Sequence, residues 1–261
     1  MKSREYSSHR QTDHGPRYNP AMPPRFFIPD VTGLGHPVPM PADEATHLRR
    51  VLRLGQGDTV AVFDGRGAEY LARVEETTSR LTVVRPYEVV PITPEPRVAL
   101  TVAQALLKGR KFDEVVRDVT MVGAVVLQPV VTHRSEGRGR DRERWIRVAI
   151  ASAKQCRRAV VPDVKAPVAF GDLLADQSAL KLLLVEPSAA EAGSGLRTVR
   201  DRAVPTSALL AVGPEGGWTE DEVQAARASD FVAVTLGRRT LRADAVVVSA
   251  VSVLQYIWGD Y

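Results

Sequence analysis

The chain has 261 residues, 44% hydrophobic and 25% charged, which is typical of a globular protein with a sizeable core. No apolar run reaches the roughly 18 residues that a membrane-spanning helix needs. The N-terminus lacks the apolar centre of a signal peptide, so we expect a cytoplasmic protein. A single cysteine, Cys156, excludes an intrachain disulfide and a thiolate metal site, and five scattered histidines predict no metal site.

Positive charge is concentrated in one part of the chain. Between residues 108 and 158 there are 13 basic and 6 acidic residues, a net charge of +7, whereas the whole chain carries +4. Such a concentration favours a polyanionic partner. The alternative is a set of arginine-rich helix faces exposed to solvent.

The first 90 residues divide into two parts. Residues 1–24 are polar and rich in proline, which predicts a disordered tail. Residues 25–90 hold several short strand-like runs with a turn signal at 64–67 and one helix at about 43–52, and this pattern predicts a small β-barrel domain. Three prolines within residues 91–96 predict a stiff linker to the next domain.

Residues 97–261 alternate between strand-like and helix-like segments, which predicts an α/β domain with a largely parallel sheet. The expected strands are 98–103, 125–131, 180–185, 208–212 and 231–236. A capping box from Thr219 to Glu222 predicts the start of one helix, and the last helix is expected over about 244–258. That helix is apolar on nearly every side, so it is buried either within one subunit or against a second one.

Three loops follow predicted strands, at the sheet edge where ligands of open α/β folds bind. They are residues 185–187, 212–217 and 236–242. The second loop has three glycines, which permit positive φ and close backbone approach to a ligand, and a proline that stiffens the turn. It matches neither the dinucleotide fingerprint nor the phosphate-binding loop of nucleoside triphosphatases. A nucleotide-dependent oxidoreductase is therefore disfavoured.

These loops belong to a wider set of motifs that resembles the RsmE family, the 16S ribosomal RNA uracil-N3 methyltransferases of the SPOUT superfamily. GPEGG at 213–217, LGRRTLRADA at 236–245 and the long closing helix are the most specific part. The other matching segments are RFFIPD at 25–30, HLRRVLRLGQGD at 47–58, FDGRGAEY at 63–70, LLKGRKFDEVVRDVTMVGA at 106–124 and KQCRRAVVPDV at 154–164. The resemblance spans about residues 25 to 257.

The resemblance implies a fold, a cofactor and a substrate. The fold would be a PUA-like, RNA-binding β-barrel before a deep trefoil-knot domain, and the enzyme would be a homodimer with its closing helix in the interface. It would use S-adenosyl-L-methionine to methylate N3 of a specific uridine in 16S rRNA of the small ribosomal subunit. The implied cofactor-binding residues are Glu186, Pro187, Gly213, Pro214, Glu215, Gly216, Gly217, Leu236, Gly237, Leu241 and Arg242.

The chain departs from the family pattern at two places. Ala243-Asp244-Ala245 stands where Thr-Glu-Thr is usual, and Lys154 stands where an acidic residue is usual. Because uracil N3 carries a proton, catalysis needs either a cation that stabilises the developing charge or a base. Arg242 is our candidate cation, and Glu215 and Asp244 are weaker candidates for the base. The alternatives are that Glu215 fixes its own loop and that Asp244 caps the last helix.

Basic residues in both domains are candidates for phosphate contacts. They are Arg25, His47, Arg49, Arg50 and Arg53 in the barrel and Lys108, Arg110, Arg134, Arg138, Lys154, Arg157 and Arg158 in the large domain. Each could instead be an ordinary surface charge. Trp218 either covers the cofactor or packs against a helix. The rival functions are a non-catalytic rRNA-binding or ribosome-assembly factor and a SPOUT enzyme that methylates a ribose 2′-hydroxyl.

Overall fold

The computed structural model describes residues 23–136, 141–189 and 194–261. Nearly all of the predicted N-terminal tail therefore lies outside the described residues. The described part of the chain forms two sheets, one from the strands before residue 90 and one from the strands after residue 98. Among its helices, none combines the length and the hydropathy that crossing a membrane would take.

The N-terminal sheet has five strands in the order β1-β3-β4-β5-β2. They are β1 (Arg25–Phe27), β2 (Val38–Pro39), β3 (Thr59–Phe63), β4 (Glu69–Thr77) and β5 (Thr82–Val89). β1 runs parallel to β3, and the other pairs are antiparallel. The predicted helix is present as α1 (Ala42–Thr46), which continues into a π-helical turn, His47–Val51. Its Leu48 is fully buried with Phe26 and Ile28 in the core of this unit.

The C-terminal sheet has seven strands, all parallel, and it confirms the predicted strand–helix alternation. Its order is β12-β10-β11-β6-β7-β8, with β9 also paired to β7. The strands are β6 (Ala99–Ala105), β7 (Val126–Val131), β8 (Asp163–Val164), β9 (Val168–Ala169), β10 (Leu180–Leu184), β11 (Ser207–Val212) and β12 (Val232–Val234). The helices are α2 (Lys111–Met121), α3 (Arg142–Cys156), α4 (Phe170–Leu173), α5 (Glu220–Ala228) and α6 (Ala243–Trp258).

Both faces of the C-terminal sheet are buried, as the near-continuous apolar runs of its strands require. Successive residues of β11 point to opposite faces, so Leu210 packs with α2, α3 and α6 while Leu209 packs with α4 and α5. The sheet therefore has a helical layer on each side. This arrangement leaves the carboxyl ends of β10, β11 and β12 together at one edge.

The closing helix α6 is buried on one side only within a single chain. Val247, Val251 and Leu254 are fully buried, whereas Tyr256 keeps 71% of its surface exposed. The helix ends at Trp258 and is followed by Gly259, whose φ of +84° forms a left-handed cap. A helix that is apolar nearly all round but covered on one side leaves apolar surface for a further contact.

Candidate active site

Three loops enclose a cleft of about 430 Å³ at the carboxyl ends of β10, β11 and β12. This volume falls within the range of small-molecule sites. Of the eleven residues predicted to bind a cofactor, ten line the cleft; Gly237 lies in the third loop but does not line it. The sequence pattern therefore predicted this convergence of loops, which the parallel sheet brings about by ending neighbouring strands at one edge.

Trp218 braces the glycine-rich loop against the end of β10. Its indole Nε1 donates to the carbonyl oxygen of Leu184 at 2.9 Å, and its ring centroid lies 5.0 Å from that of Phe170 in α4. Gly213 lies close beside it, and a Cβ there would be 3.1 Å from Nε1, which is tighter than ordinary van der Waals contact. Trp218 therefore packs against a helix, as one of its two alternatives predicted, and it also lines the cleft.

The second half of the loop turns at Gly217, whose φ is +67°. Its amide donates to the carbonyl oxygen of Pro214 at 2.9 Å, and a Cβ at Gly217 would lie 3.3 Å from Glu186 Oε1. Arg134 clamps the same turn, because its Nη1 donates to the carbonyl oxygens of Gly216 (2.8 Å) and Trp218 (3.2 Å). In this structure, Arg134 serves the loop and lines the cleft.

The predicted capping box at the start of α5 is confirmed. The amide of Glu222 donates to Thr219 Oγ1 at 3.2 Å, and the amide of Thr219 donates to Glu222 Oε2 at 2.8 Å. The other carboxylate oxygen of Glu222 accepts from the amide of His133 at 2.8 Å. Glu222 thus fixes the end of the glycine-rich loop by accepting from two backbone amides, those of Thr219 and His133.

Glu215 joins the loop to the start of α2. Its Oε1 accepts from Lys111 Nζ at 2.8 Å and from the amide of Lys108 at 3.4 Å. Partial burial acts to raise the pKa of Glu215, but the hydrogen bonds and the charge of Lys111 outweigh it and lower the pKa below its ordinary value. A carboxylate held ionised in this way is a poor proton acceptor. The geometry favours the alternative in which Glu215 fixes its own loop.

Arg242 and Asp244 form a two-point ion pair at the cleft. Arg242 Nε lies 3.0 Å from Asp244 Oδ1, and Arg242 Nη2 lies 2.8 Å from Oδ2. The hydrogen bond from Arg242 lowers the pKa of Asp244, and the same bond raises the pKa of Arg242. The interpretation of Asp244 as a helix cap is wrong, because α6 begins at Ala243 with Arg242 before it and Asp244 lies in the first turn.

Two arginines predicted to contact RNA are buried and fully engaged, so the structure contradicts that role. Arg25 pairs with Glu69 and donates to the backbone at the end of α3. Arg158 pairs with Glu95 and donates to the carbonyl oxygens of Thr120 (2.9 Å) and Ala124 (2.7 Å). Their charges are balanced inside the protein and are not offered to a phosphate.

Lys154, also predicted to contact RNA, is 22% exposed and pairs with Glu44 at 2.7 Å, so it too is committed to an internal contact. Arg49 is half-buried, with Nε donating to the carbonyl oxygen of Ala45 at 3.2 Å. Lys108 is exposed and pairs with Glu136 at 2.9 Å. The remaining described candidates are exposed: His47, Arg50, Arg53, Arg110 and Arg157. Arg138 lies outside the described residues.

Some residues in or beside the cleft were not named among the predicted cofactor-binding residues, although two of them belong to the predicted third loop. Arg239 and Thr240 line it between Leu236 and Leu241, and Lys111 lines it from α2. All three lie within the segments that carry the family resemblance, which was a usable signal. Buried Gln104, near the end of β6, donates from Nε2 to the carbonyl oxygen of Gly213 at 3.2 Å. The only sign of this role in the sequence was a single amide side chain near the end of an otherwise apolar strand. In the described ranges, no cluster of three metal-binding side chains occurs.

Comparisons with known proteins agree with this architecture. A family model described as an RNA methyltransferase domain matches residues 93–255, and one described as an RNA methyltransferase PUA domain matches residues 41–84. The crystal structure of a ribosomal RNA small subunit methyltransferase E from Neisseria gonorrhoeae, bound to S-adenosyl methionine, is 29% identical with a TM-score of 0.82. The similarity covers 92% of this chain and 99% of that one.

Two relatives have the same name, ribosomal RNA small subunit methyltransferase E. The protein from Synechocystis is 36% identical over 76% of this chain, and the match spans 65% of that relative's length. The protein from Mycobacterium tuberculosis is 29% identical over 89% of this chain and 92% of its own length. These relatives confirm the resemblance that the motifs indicated. Because the catalytic-domain model covers more than half of the sequence, the chain belongs to the RNA methyltransferase family.

Proposed function

We propose that this protein transfers the methyl group of S-adenosyl-L-methionine to N3 of a specific uridine in 16S rRNA. One observation carries the proposal: the three loops that the family motifs identify converge on one cleft. The fold around that cleft is similar to that of the Neisseria gonorrhoeae enzyme, which was crystallised with S-adenosyl methionine. The choice of small-subunit rRNA as the substrate is based on the names of the relatives.

The cleft suits a cofactor with apolar, polar and cationic parts. Leu184, Val185 and Leu236 offer apolar walls for a base, and the exposed carboxylate of Glu186 offers an acceptor for a cationic group. The glycine-rich loop allows its backbone to approach a ligand closely. When bound, S-adenosyl-L-methionine supplies a methyl group on a sulfonium, which a nucleophile can accept in line with the leaving sulfur.

The chain's own contribution is to hold the reacting groups and to stabilise charge. As the proton leaves uracil N3, negative charge develops on the neighbouring carbonyl oxygens, and a cation beside them stabilises it. Arg242 fits this role, because Asp244 holds its guanidinium by two hydrogen bonds while 69% of the Arg242 side chain stays exposed. We assign Asp244 to orienting Arg242, since the lowered pKa makes the carboxylate a weak base. Water is a weaker base still, so we place the loss of the N3 proton to hydroxide from the solvent before methyl transfer, in an equilibrium that the nearby cation favours.

The exposed basic residues form the proposed RNA-binding surface. Arg50 lies in the π-helical turn of the N-terminal unit and Arg53 follows it, and Lys108 and Arg110 lie in the loop that leads into α2. Phosphate contacts from such residues make binding strongly dependent on salt.

The remaining features implied by the family are part of the same proposal. We divide the chain into a PUA-like domain at 25–90, a linker at 91–96 and a SPOUT domain at 97–261 with a deep trefoil knot. The exposed side of α6 supports a homodimer interface. Because the proposed substrate is ribosomal RNA, we place the protein in the cytoplasm.

A methyl-transfer assay tests the function. Labelled S-adenosyl-L-methionine is offered with intact small ribosomal subunits or with naked 16S rRNA, and nucleosides are then analysed by mass spectrometry. We expect label in N3-methyluridine. Cofactor binding without label there would indicate another RNA or atom, such as a ribose 2′-hydroxyl, and absence of cofactor binding would indicate a non-catalytic rRNA-binding protein.

Arg242→Ala tests the assignment of the cation. We expect loss of methyl transfer with cofactor binding retained, because the arginine acts on charge that develops only during the reaction. Arg238→Ala, four residues earlier in the same loop and also exposed, is the matched control and should stay active. Full activity of Arg242→Ala would refute the assignment.

A further inference from the structure

A buried ion pair of the N-terminal sheet lies at the contact with the C-terminal unit. The side chains of Arg25 in β1 and Glu69 in β4 are 6% and 5% exposed. Arg25 Nε lies 2.9 Å from Glu69 Oε1, and Nη2 lies 2.8 Å from Oε2, so the guanidinium and the carboxylate meet by two parallel hydrogen bonds. The pair fixes both the place and the plane of the guanidinium.

The other donors of the same guanidinium reach the last turn of α3 and the residues just after it. Arg25 Nη1 donates to the carbonyl oxygen of Ala153 at 2.7 Å, and Nη2 donates to that of Arg158 at 3.0 Å. The carbonyl oxygen of Ala153 already accepts from the amide of Arg158 at 3.1 Å, so Arg25 adds a further donor at this helix end, where the helix dipole favours a cation. Arg25 therefore ties β1 to the C-terminal end of α3. The ring of Phe63 lies 4.1 Å beneath it.

Two further ion pairs surround this contact. Lys154 Nζ lies 2.8 Å and 2.7 Å from the carboxylate oxygens of Glu44, which belongs to α1. Arg158 holds Glu95, in the segment between the two sheets, with Nε 2.9 Å from Oε2. We call the contacts of Arg25, Lys154 and Arg158 the joint. Three basic residues that resemble an RNA-binding set in the sequence are thus used to connect the two units.

We propose that Arg25, oriented by Glu69, is a positioning residue for methyl transfer: it sets the angle between the N-terminal unit and the cleft. The inference rests on the proposed function, in which RNA bound on the N-terminal unit has to present one base to the cleft. Every nitrogen of the guanidinium is engaged inside the protein, so Arg25 acts through the joint and not by touching RNA. Small misplacements of a reacting group lower rates strongly.

Glu69→Gln separates this role from a phosphate contact, because it removes a negative charge and keeps the size of the side chain. If Arg25 positions the units, Glu69→Gln and Arg25→Met both lower kcat/KM for the rRNA substrate by roughly ten- to a hundredfold. The Kd for S-adenosyl-L-methionine and the salt dependence of RNA binding stay unchanged. Arg73→Met, in exposed surface of β4, is the matched control and keeps full activity.

The opposite pattern would overturn the proposal. If Arg25 contacted a phosphate, Arg25→Met would reduce the slope of log K against log salt by about 1, and Glu69→Gln would leave activity intact or tighten RNA binding. Arg25→Lys adds a check, because it keeps the charge and loses the planar fork. It should fail to restore kcat/KM, whereas a phosphate contact would be largely preserved.

A distance measurement tests the joint without any RNA. Spin labels at Arg80→Cys in the N-terminal unit and Gln224→Cys in α5, both exposed positions, are introduced with Cys156→Ser. Labelled protein is diluted into excess unlabelled protein, so that only pairs within one chain contribute. We expect one narrow distance distribution that broadens or shifts with Glu69→Gln; an unchanged distribution would overturn the joint. A broadened distribution with an inactive wild type would uphold the joint and refute the proposed function.

Discussion

Gly217→Ala perturbs the cleft through one methyl group. At a φ of +67°, an alanine costs roughly 1–2 kcal/mol in the folded state, partly offset by about 0.4–1 kcal/mol from the stiffer unfolded chain. The net loss of about 1 kcal/mol lowers Tm by roughly 2–4 °C in a chain of this size. In addition, the new Cβ would lie 3.3 Å from Glu186 Oε1, which is close enough to shift that carboxylate by a few tenths of an ångström.

The displacement of Glu186 should appear as lost cofactor affinity. A hydrogen bond to a charged group is worth about 1.5–3 kcal/mol, so weakening this one by a shift of its acceptor should raise the Kd for S-adenosyl-L-methionine several-fold, to at most about tenfold. Gly57→Ala is the matched control, because Gly57 has a φ of +91° and open space where its Cβ would lie. Calorimetric titration and thermal unfolding of both variants separate the two effects. Equal affinity in Gly217→Ala and the wild type, despite equal losses of Tm in the two variants, would refute a role for Glu186 in the cleft.

Three further predictions concern the same cleft. Trp218→Phe removes the indole hydrogen bond at a cost of about 1 kcal/mol, so thermal unfolding should show a Tm lower by roughly 2–4 °C and calorimetry a several-fold weaker cofactor. Lys111→Met leaves Glu215 partly buried without its cation, so an NMR titration should find the pKa of Glu215 raised; an unchanged pKa would contradict the stated cause. Asp244→Asn should keep the shape of the pH–rate profile, and disappearance of an acid limb would instead assign proton removal to Asp244.

The pKa shifts also fix how pH affects the two ion pairs of the cleft. The pKa values of Glu215 and Asp244 are lowered in the folded protein, so whatever stability their pairs contribute is fully present at neutral pH. It is lost only as pH falls below about 4, through the lowered pKa values. Unfolding temperatures measured between about pH 5 and pH 7 should therefore not change through these groups.

The sequence predicted the local patterns that follow from short-range chemistry. The five parallel strands β6, β7, β10, β11 and β12, the capping box at Thr219 and the helix that ends at Trp258 were each indicated by periodicity or by turn and capping residues. The two-residue strands β8 and β9 were not predicted, because so short a run has no periodicity to detect. They exist through pairing with β7, a long-range contact that local propensity does not encode.

The clustering of basic residues in the sequence did not show which of them bind carboxylates inside the protein, and the reason is related. A run such as KQCRR at 154–158 has the same net charge whether its side chains face water or buried carboxylates. The carboxylates that neutralise Lys154 and Arg158 lie 110 and 63 residues away along the chain, at Glu44 and Glu95. Only the fold brings them together, so a count of basic residues within one segment overstated the surface available to RNA.

The positions of the cleft and the joint explain why charged side chains are buried in the joint, away from the proposed reacting groups. A buried ion pair adds little net stability but fixes geometry when its partners are satisfied, and Arg25 has partners in both units. The cleft lies on the C-terminal sheet, while the exposed Arg50 and Arg53 lie on the N-terminal unit. Phosphate contacts on one unit can select a base for the other only if the angle between the units is fixed. The joint fixes that angle. Arg25 and Arg158 could not do so if their side chains were exposed and bound to RNA phosphates instead of to groups inside the protein.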